Sequence, residues 1–362
     1  PARTSSEISL VDHEANRTPR RLDSRSERRG EAAGGDVWSA GPRRACDARG
    51  VLATIHDDEP DTSELIVRSL LETECPNWAH LPVEYLATSG TDNAMWRIHV
   101  EAGPDMVVRL PRRPGAAASV LQETTVLQQL ERESIGSIVQ TPKVRHIGAP
   151  HDVFAHHWSV LEWIDGDDAW TLRHELDSRS LHALADDLAA AVDAIGTVGA
   201  HDVRPRSPGQ RGGPLLALLD RLSNWLDSSE WNAENFFDVS AVRRLASEAY
   251  EVVDEAVNEG FVHGDLIPGN LLVDGGRLTA IIDWGGAGRG DTAQDLAPAW
   301  AVLDASQRAA FKAAVGADEA AWIRGRTFEL EHAVGGILYY VPKGHPLGDV
   351  MTRTLERILD EP

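Results

Sequence analysis

The sequence predicts an α+β fold in two lobes, a smaller sheet-rich one followed by a larger, mostly helical one. Three observations predict it. Short strand-like runs rich in Val, Ile, Leu and aromatics crowd the stretch 83–163. Segments of helical apolar spacing fill most of the chain beyond residue 170. The two blocks are consecutive rather than interleaved, which is the order of an α+β protein and not of a parallel α/β sheet. With 362 residues the chain has length for one large domain or two ordinary ones.

Residues 1–50 stand apart. The run "RTPRRLDSRSERRGEAAGG" has one Leu and no Ile, Val or Phe, and the fifty residues carry ten Arg against eight acids in an otherwise acidic chain. Such a segment cannot bury enough apolar surface to offset its ordering entropy. It is expected to be a disordered tail or upstream sequence translated in error, with Val51 as the start. The fold proper is expected from Asp61, with residues 61–162 as the first lobe and 163–362 as the second.

In chain order, "TSELIVRSLLETE" reads as a helix with a Thr/Ser start signal. The runs "VEYLA", "MWRIHV" and "MVVRL" read as strands, the last two joined through the turn "EAGPD". Between the first two lies the small-residue loop "TSGTDN". A helix is expected over about 116–133, then the strands "KVRHIG" and "WSVLEW". After "IDGDDAW" the spacing turns helical in "SLHALADDLAAAVDAI", "PLLALLDRLSNWL" and "VSAVRRLASEAYEVVDEAV", and again in the closing "VMTRTLERIL". One hairpin interrupts these helices.

Composition narrows the function. The chain holds 57 acidic and 35 basic side chains, a formal charge of −22. A polyanion needs a basic surface, so nucleic acid is not an expected partner; a cationic small molecule suits the charge. Two cysteines, Cys46 and Cys75, make neither a disulfide framework nor a metal motif. The absence of an apolar run of membrane length and of a signal-peptide pattern leads to the expectation of a cytoplasmic protein without membrane association.

The chemistry concentrates in "FVHGDLIPGN", residues 261–270, and in the adjoining "NLLVDGGRLTAIIDW". Taken alone, the first stretch is a polar turn, since Asp, Asn, Gly and Pro are turn residues. The second is two apolar strands around Gly275-Gly276, a two-residue hairpin signal. With those glycines as the loop, Asp274 faces Arg277 and Asn270 faces Ile281. Side chains alternate along a strand, so Asp283 then projects from the same face as Asn270 at about 7–8 Å. Asn270 and Asp283 can share a magnesium ion at that separation, and the preceding turn brings Asp265 towards the same end.

This pattern resembles the aminoglycoside phosphotransferase family, protein-kinase-like enzymes that phosphorylate small molecules. The resemblance rests on "HGDLIPGN" and "IIDWGGAGRGDTAQDLA", covers about residues 61–360, and implies the kinase-like version of the two-lobe fold. Gly264 stands where protein kinases carry the arginine of His-Arg-Asp, which favours a small-molecule substrate. The resemblance implies Asp265 as the residue that orients the acceptor hydroxyl and takes its proton, with Asn270 and Asp283 holding Mg2+ against the phosphates of ATP or GTP. His263 is expected to support the loop, and Asp295 to brace it.

In the first lobe the resemblance implies that Arg109, where many members carry lysine, contacts nucleotide phosphate and pairs with Glu123. The spacing of Val120, Glu123, Leu127 and Leu130 puts Glu123 on an apolar helix face, where a carboxylate needs a partner. Ser89, Gly90 and Thr91 take the place of the phosphate-covering loop, and the backbone from Glu162 to Ile164 that of the hinge holding the base. Glu329 and Glu331 are read either as acids facing a cationic substrate or as solvated helix charges. The expected function is phosphoryl transfer to a hydroxyl of a small molecule, an aminoglycoside-type antibiotic among the candidates, in which case the protein would confer resistance. A metabolic kinase for a sugar, choline, amino alcohol or macrolide is the alternative. A catalytically silent kinase-like binding protein is the rival from another class; its mark would be loss of Asp265, Asn270 or Asp283, and all three are present.

Overall fold

The structure is a computed structural model and describes residues 59–86, 92–133, 135–201, 203–253 and 255–361. The expectations for residues 1–50 and for Ser89, Gly90 and Thr91 lie outside the described residues.

The first lobe contains helix α1 (Glu64–Glu74), strands β1 (Val83–Leu86), β2 (Asn93–Ile98) and β3 (Met106–Pro111), helix α2 (Pro114–Arg132), and strands β4 (Val144–Gly148) and β5 (Trp158–Glu162). The strands form one antiparallel sheet in the order β1-β2-β3-β5-β4. β2 ends two residues earlier than expected. Its next amides are claimed by other partners: His99 N–H donates to Pro82 O and Val100 N–H to the Asp105 carboxylate, at 3.0 and 2.8 Å.

β3 is buried on both faces, and its period of two divides it. Val108 and Leu110 join Val67, Leu70 and Leu71 of α1 in one core. Val107 turns to the other side with Leu127 and Leu130 of α2, in a core continuous with the second lobe. Arg109 shares that parity, so the alternation that builds the lobe also points a guanidinium at α2.

The second lobe begins with β6 (Asp167–Asp168) and continues through α3 (Ser178–Thr197), α4 (Leu215–Asp227), α5 (Val239–Ala249), β7 (Glu259–Val262), β8 (Leu271–Asp274), β9 (Arg277–Ile281), β10 (Gly288–Asp291), α6 (Pro298–Ala301), α7 (Ala305–Ala314), α8 (Glu319–Tyr340) and α9 (Leu347–Leu359). Three short strands were not legible as strands: β6 extends the β8–β9 hairpin, and β7 pairs with β10. Each is two to four residues long, too short to display a period.

α5 stops at Ala249, well before the expected end at Val257. The next amides, of Tyr250, Glu251 and Val252, donate three residues back, to Ser247, Glu248 and Ala249. That tightening ends the α-helix while keeping Val252 in the core.

The hairpin register differs from the expected one. Gly275 and Gly276 do form the loop, with φ of 56° and 77° as a type I′ turn requires, and Asp274 faces Arg277. A bulge then intervenes: Val273 faces Leu278 but Leu272 faces Ala280. Thr279 is the extra residue, its hydroxyl donating to Leu272 O at 3.1 Å. Leu271, not Asn270, therefore faces Ile281, and Asn270 O accepts from Ile282 N–H at 3.0 Å.

Candidate active site

The first half of the site is built on β3 and α2. Arg109 forms an ion pair with Glu123, whose side chain is only 3% exposed. The other arm of the guanidinium, Nη2, stands 3.3 Å from Asp283 Oδ1. Burial opposes the charge on Arg109, but Glu123 and Asp283 outweigh it and hold the guanidinium firmly protonated. Glu123 Oε1 also accepts from Trp284 N–H at 3.2 Å. One carboxylate thus ties strand, helix and the turn that carries Asp283.

Asp283 leaves the strand geometry expected of it. It adopts φ 61° and ψ 66°, a left-handed conformation uncommon for a residue with a side chain. Its carboxylate is about half exposed and sits one residue beyond Ile282, which is bonded to Asn270. Asn270 is thus bonded to the residue before Asp283, at the hairpin end and through a register other than the expected one.

The second half is the loop between β7 and β8. Asn270 Nδ2 donates to Asp265 O and to Asp265 Oδ2, at 2.9 and 3.1 Å. Burial works to raise the Asp265 carboxyl; Arg211 foremost, with His332, His263 and the Asn270 hydrogen bond, outweighs it and holds the group below its ordinary range. His263 is fully buried. Its Nδ1 accepts from Asp265 N–H at 3.1 Å, which leaves Nε2 to donate to Ile282 O at 3.1 Å. That requires the neutral ring, and burial lowers its proton affinity accordingly, against the pull of Asp295, Asp265 and Asp283.

Asp295 lies beneath the loop and accepts from both His263 N–H (2.7 Å) and Gly264 N–H (2.9 Å). Its geometry is that of a brace. Gly264 has φ +80°, and a Cβ there would overlap the Arg206 guanidinium and crowd Gly286 O at 2.9 Å. Asp291 is buried and accepts from Arg324 Nε at 2.7 Å.

Arg206, Arg211 and His332 carry no motif that marks them in the sequence as site residues. Arg206 and Arg211 belong to the loop 204–214, "RPRSPGQRGGP", which runs beside β10. Arg206 donates to Gly286 O; burial first, then the nearby Arg211 charge, pulls its proton affinity down to about 10. Arg211 Nη2 stands 3.3 Å from Asp265 Oδ1. Arginines recurring in a Gly/Pro-rich loop of an acidic chain were the available signal. Glu329 and Glu331 are not solvated helix charges: both are buried. Glu331 accepts from Arg221 at 2.7 Å, and Glu329 lies 3.4 Å from His332.

At the lobe junction, Glu162 N–H donates to Lys143 O and Trp163 N–H to Asp105 O, each at 2.8 Å. The Glu162 side chain pairs with Arg145. Among the described residues Ile164 N–H makes no hydrogen bond. The Ile164 side chain packs with Leu272 and Ala280 against Ile282, a small apolar cluster apart from the main core.

Comparison with known proteins bears on the family and the fold. The model of the phosphotransferase enzyme family, APH, matches residues 86–328. No curated protein matches the chain in sequence. Among solved structures, APH(2")-IIia in complex with GDP and kanamycin superposes with a TM-score of 0.62 at 18% identity, over 82% of this chain and 97% of that one. APH(4)-Ia, in a ternary complex with AMP-PNP and hygromycin B, gives 0.54 at 17%, over 80% and 98%. The macrolide 2'-phosphotransferase MphH from Brachybacterium faecium gives 0.52 at 20%, over 81% and 98%. At these identities the likeness establishes a shared fold, the kinase-like arrangement of a sheet-rich lobe on a helical one. Among the described residues no helix is long and apolar enough to cross a membrane.

Proposed function

The chain belongs to the APH phosphotransferase enzyme family, and from that premise we propose that it transfers the terminal phosphoryl group of ATP or GTP to a hydroxyl of a small molecule. The observation that carries this reading is the meeting of two half-sites at one hairpin end. Arg109, paired with Glu123, reaches Asp283 from the first lobe, while Asn270 joins Asp265 to the residue preceding Asp283.

In this reading the ionised Asp265 orients the acceptor hydroxyl and takes its proton. Its depressed proton affinity makes it a weak base, which suits a transfer whose loose transition state needs positioning more than proton abstraction. Asn270 spends its amide N–H on Asp265 and keeps Oδ1 for a cation. Asp283 offers a half-exposed carboxylate. One or two such ligands, with phosphate and water completing the shell, fit magnesium. When bound, that ion would neutralise charge on the transferring phosphoryl group. Arg109, held by Glu123, would fork onto phosphate with the arm now turned to Asp283. Ile164 would place its free N–H at the edge of the base, over the apolar cluster of Leu272 and Ala280. Ser89, Gly90 and Thr91 would cover the phosphates. A cytoplasmic setting supplies both nucleotide and magnesium.

The test is a mass-shift screen of the full chain with magnesium and either ATP or GTP. The acceptors are aminoglycosides, macrolides, choline and sugars. A phosphorylated product with any of them supports the reading; failure to bind Mg·nucleotide at all contradicts it.

A further inference from the structure

The chain's overall charge favours a cationic acceptor, yet the charges that face Asp265 are of the other sign. Arg211 Nη2 lies 3.3 Å from Asp265 Oδ1. The other terminal nitrogen of the same guanidinium, Nη1, is buried and makes no hydrogen bond. A buried guanidinium N–H left unpaired is costly, and the usual remedy is an anionic acceptor atom. Arg206 stands close enough that the two charges repel: burial, then Arg211, lowers its proton affinity. The Nε of Arg206 is likewise buried without a partner.

The neighbouring acid does not cancel this excess. Glu331, which also feels Arg211 and His332, is held by Arg221 at 2.7 Å. Asp295 is committed to two backbone amides. Asp265 has to turn its carboxylate to the hydroxyl during transfer, and that frees a second N–H of Arg211. A polycation at this place would meet two guanidiniums.

Resting on the phosphotransferase reading, we propose that the acceptor is a hydroxylated anion. It would carry a carboxylate or phosphate that Arg211 binds bidentately beside the hydroxyl presented to Asp265. Planar fork-to-carboxylate recognition uses both the nitrogen now on Asp265 and the one now without a partner. Arg206 adds its charge from behind.

Three probes that share a pyranose ring test this: glucuronate, glucose and glucosamine, with kanamycin as a polycation. Binding to the full chain is measured by saturation-transfer NMR in the presence of magnesium and AMP-PNP at low salt, which needs no turnover. Glucuronate should bind roughly tenfold or more tightly than glucosamine, the scale of a charge-assisted hydrogen bond. Arg211→Lys should keep that order and Arg211→Glu should reverse it, and the wild-type order alone decides if a variant does not fold. Tighter binding of glucosamine or kanamycin, or no preference for the anion, overturns the proposal. The same samples separate it from the reading it rests on. A protein that binds Mg·nucleotide but prefers the cation loses only this inference; one that prefers the anion but binds no nucleotide loses the phosphotransferase reading instead.

Discussion

Arg109 and Asp283 lie 174 residues apart in the chain and 3.3 Å apart in the fold, with Glu123 fastening the pair to α2 and to the Trp284 amide. The arrangement is stable only while each buried charge has its partner. Arg109→Met leaves Glu123 buried without its counter-charge, where burial drives it towards the protonated form, and should cost about 3–5 kcal/mol. Adding Glu123→Leu should restore most of that loss, because an apolar pair of similar volume needs no solvation. Urea denaturation of the two variants checks this: a double variant no more stable than the single one would mean that the pair does not act through desolvation.

His263 makes the fold sensitive to mild acid. Its folded proton affinity lies below the ordinary value, so the unfolded chain binds the extra proton. Stability should therefore fall as pH drops through about 6.5, the unfolded histidine value, and be unaffected by this group above it. His263→Gln keeps a donor for Ile282 and cannot titrate. The difference in stability between wild type and this variant should shrink as pH falls from 8 to about 5, measured by thermal unfolding; a constant difference would place the proton elsewhere.

Gly264 answers to backbone and space together. Alanine there must hold a left-handed φ, at about 1–2 kcal/mol, and must also displace Arg206 from Gly286 O. Gly264→Ala should lower stability by more than the backbone term alone and loosen the Asp265 loop. Hydrogen exchange of the His263 and Gly264 amides, both bonded to Asp295, should quicken in the variant.

The site was legible where chemistry follows chain order, and not where it depends on long-range approach. Asp265, Asn270 and Asp283 sit within one turn and one hairpin, so spacing sufficed to bring them together. Even there a single bulge at Thr279 moved the register, because nothing in "GGRLTAII" marks which residue will be extra. The Arg109–Glu123 pair was legible through the family resemblance, with helix spacing placing Glu123 on an apolar face; the strand parity that turns Arg109 towards α2 came only with the structure. Arg211 was not: it comes from an irregular loop, and its approach to Asp265 is set by backbone bonds of the loop to Arg289 and Asp291. The burial of Glu329 and Glu331 was hidden for a different reason. α8 is buried around nearly its whole circumference, so it has no polar face for the periodicity to reveal.

Metal dependence separates the two acids. Asp283→Asn removes a ligand charge, so nucleotide affinity should fall when magnesium is present and change little when it is chelated. Calorimetric titration with and without EDTA measures both; an equal loss in the two conditions would assign Asp283 to the nucleotide or the fold rather than to the metal.

Asp265→Asn bears most directly on the proposed chemistry. Asparagine keeps the size of the side chain and a partner for Asn270 but cannot accept the hydroxyl proton. With the acceptor found by the screen, kcat should fall roughly 10²–10⁴-fold, towards the lower end because base catalysis matters less in a loose transition state. Affinity for Mg·nucleotide should be retained. A variant that kept a near wild-type kcat, or that lost nucleotide affinity while Asp283→Asn kept it, would contradict the assignment of Asp265 to the acceptor hydroxyl.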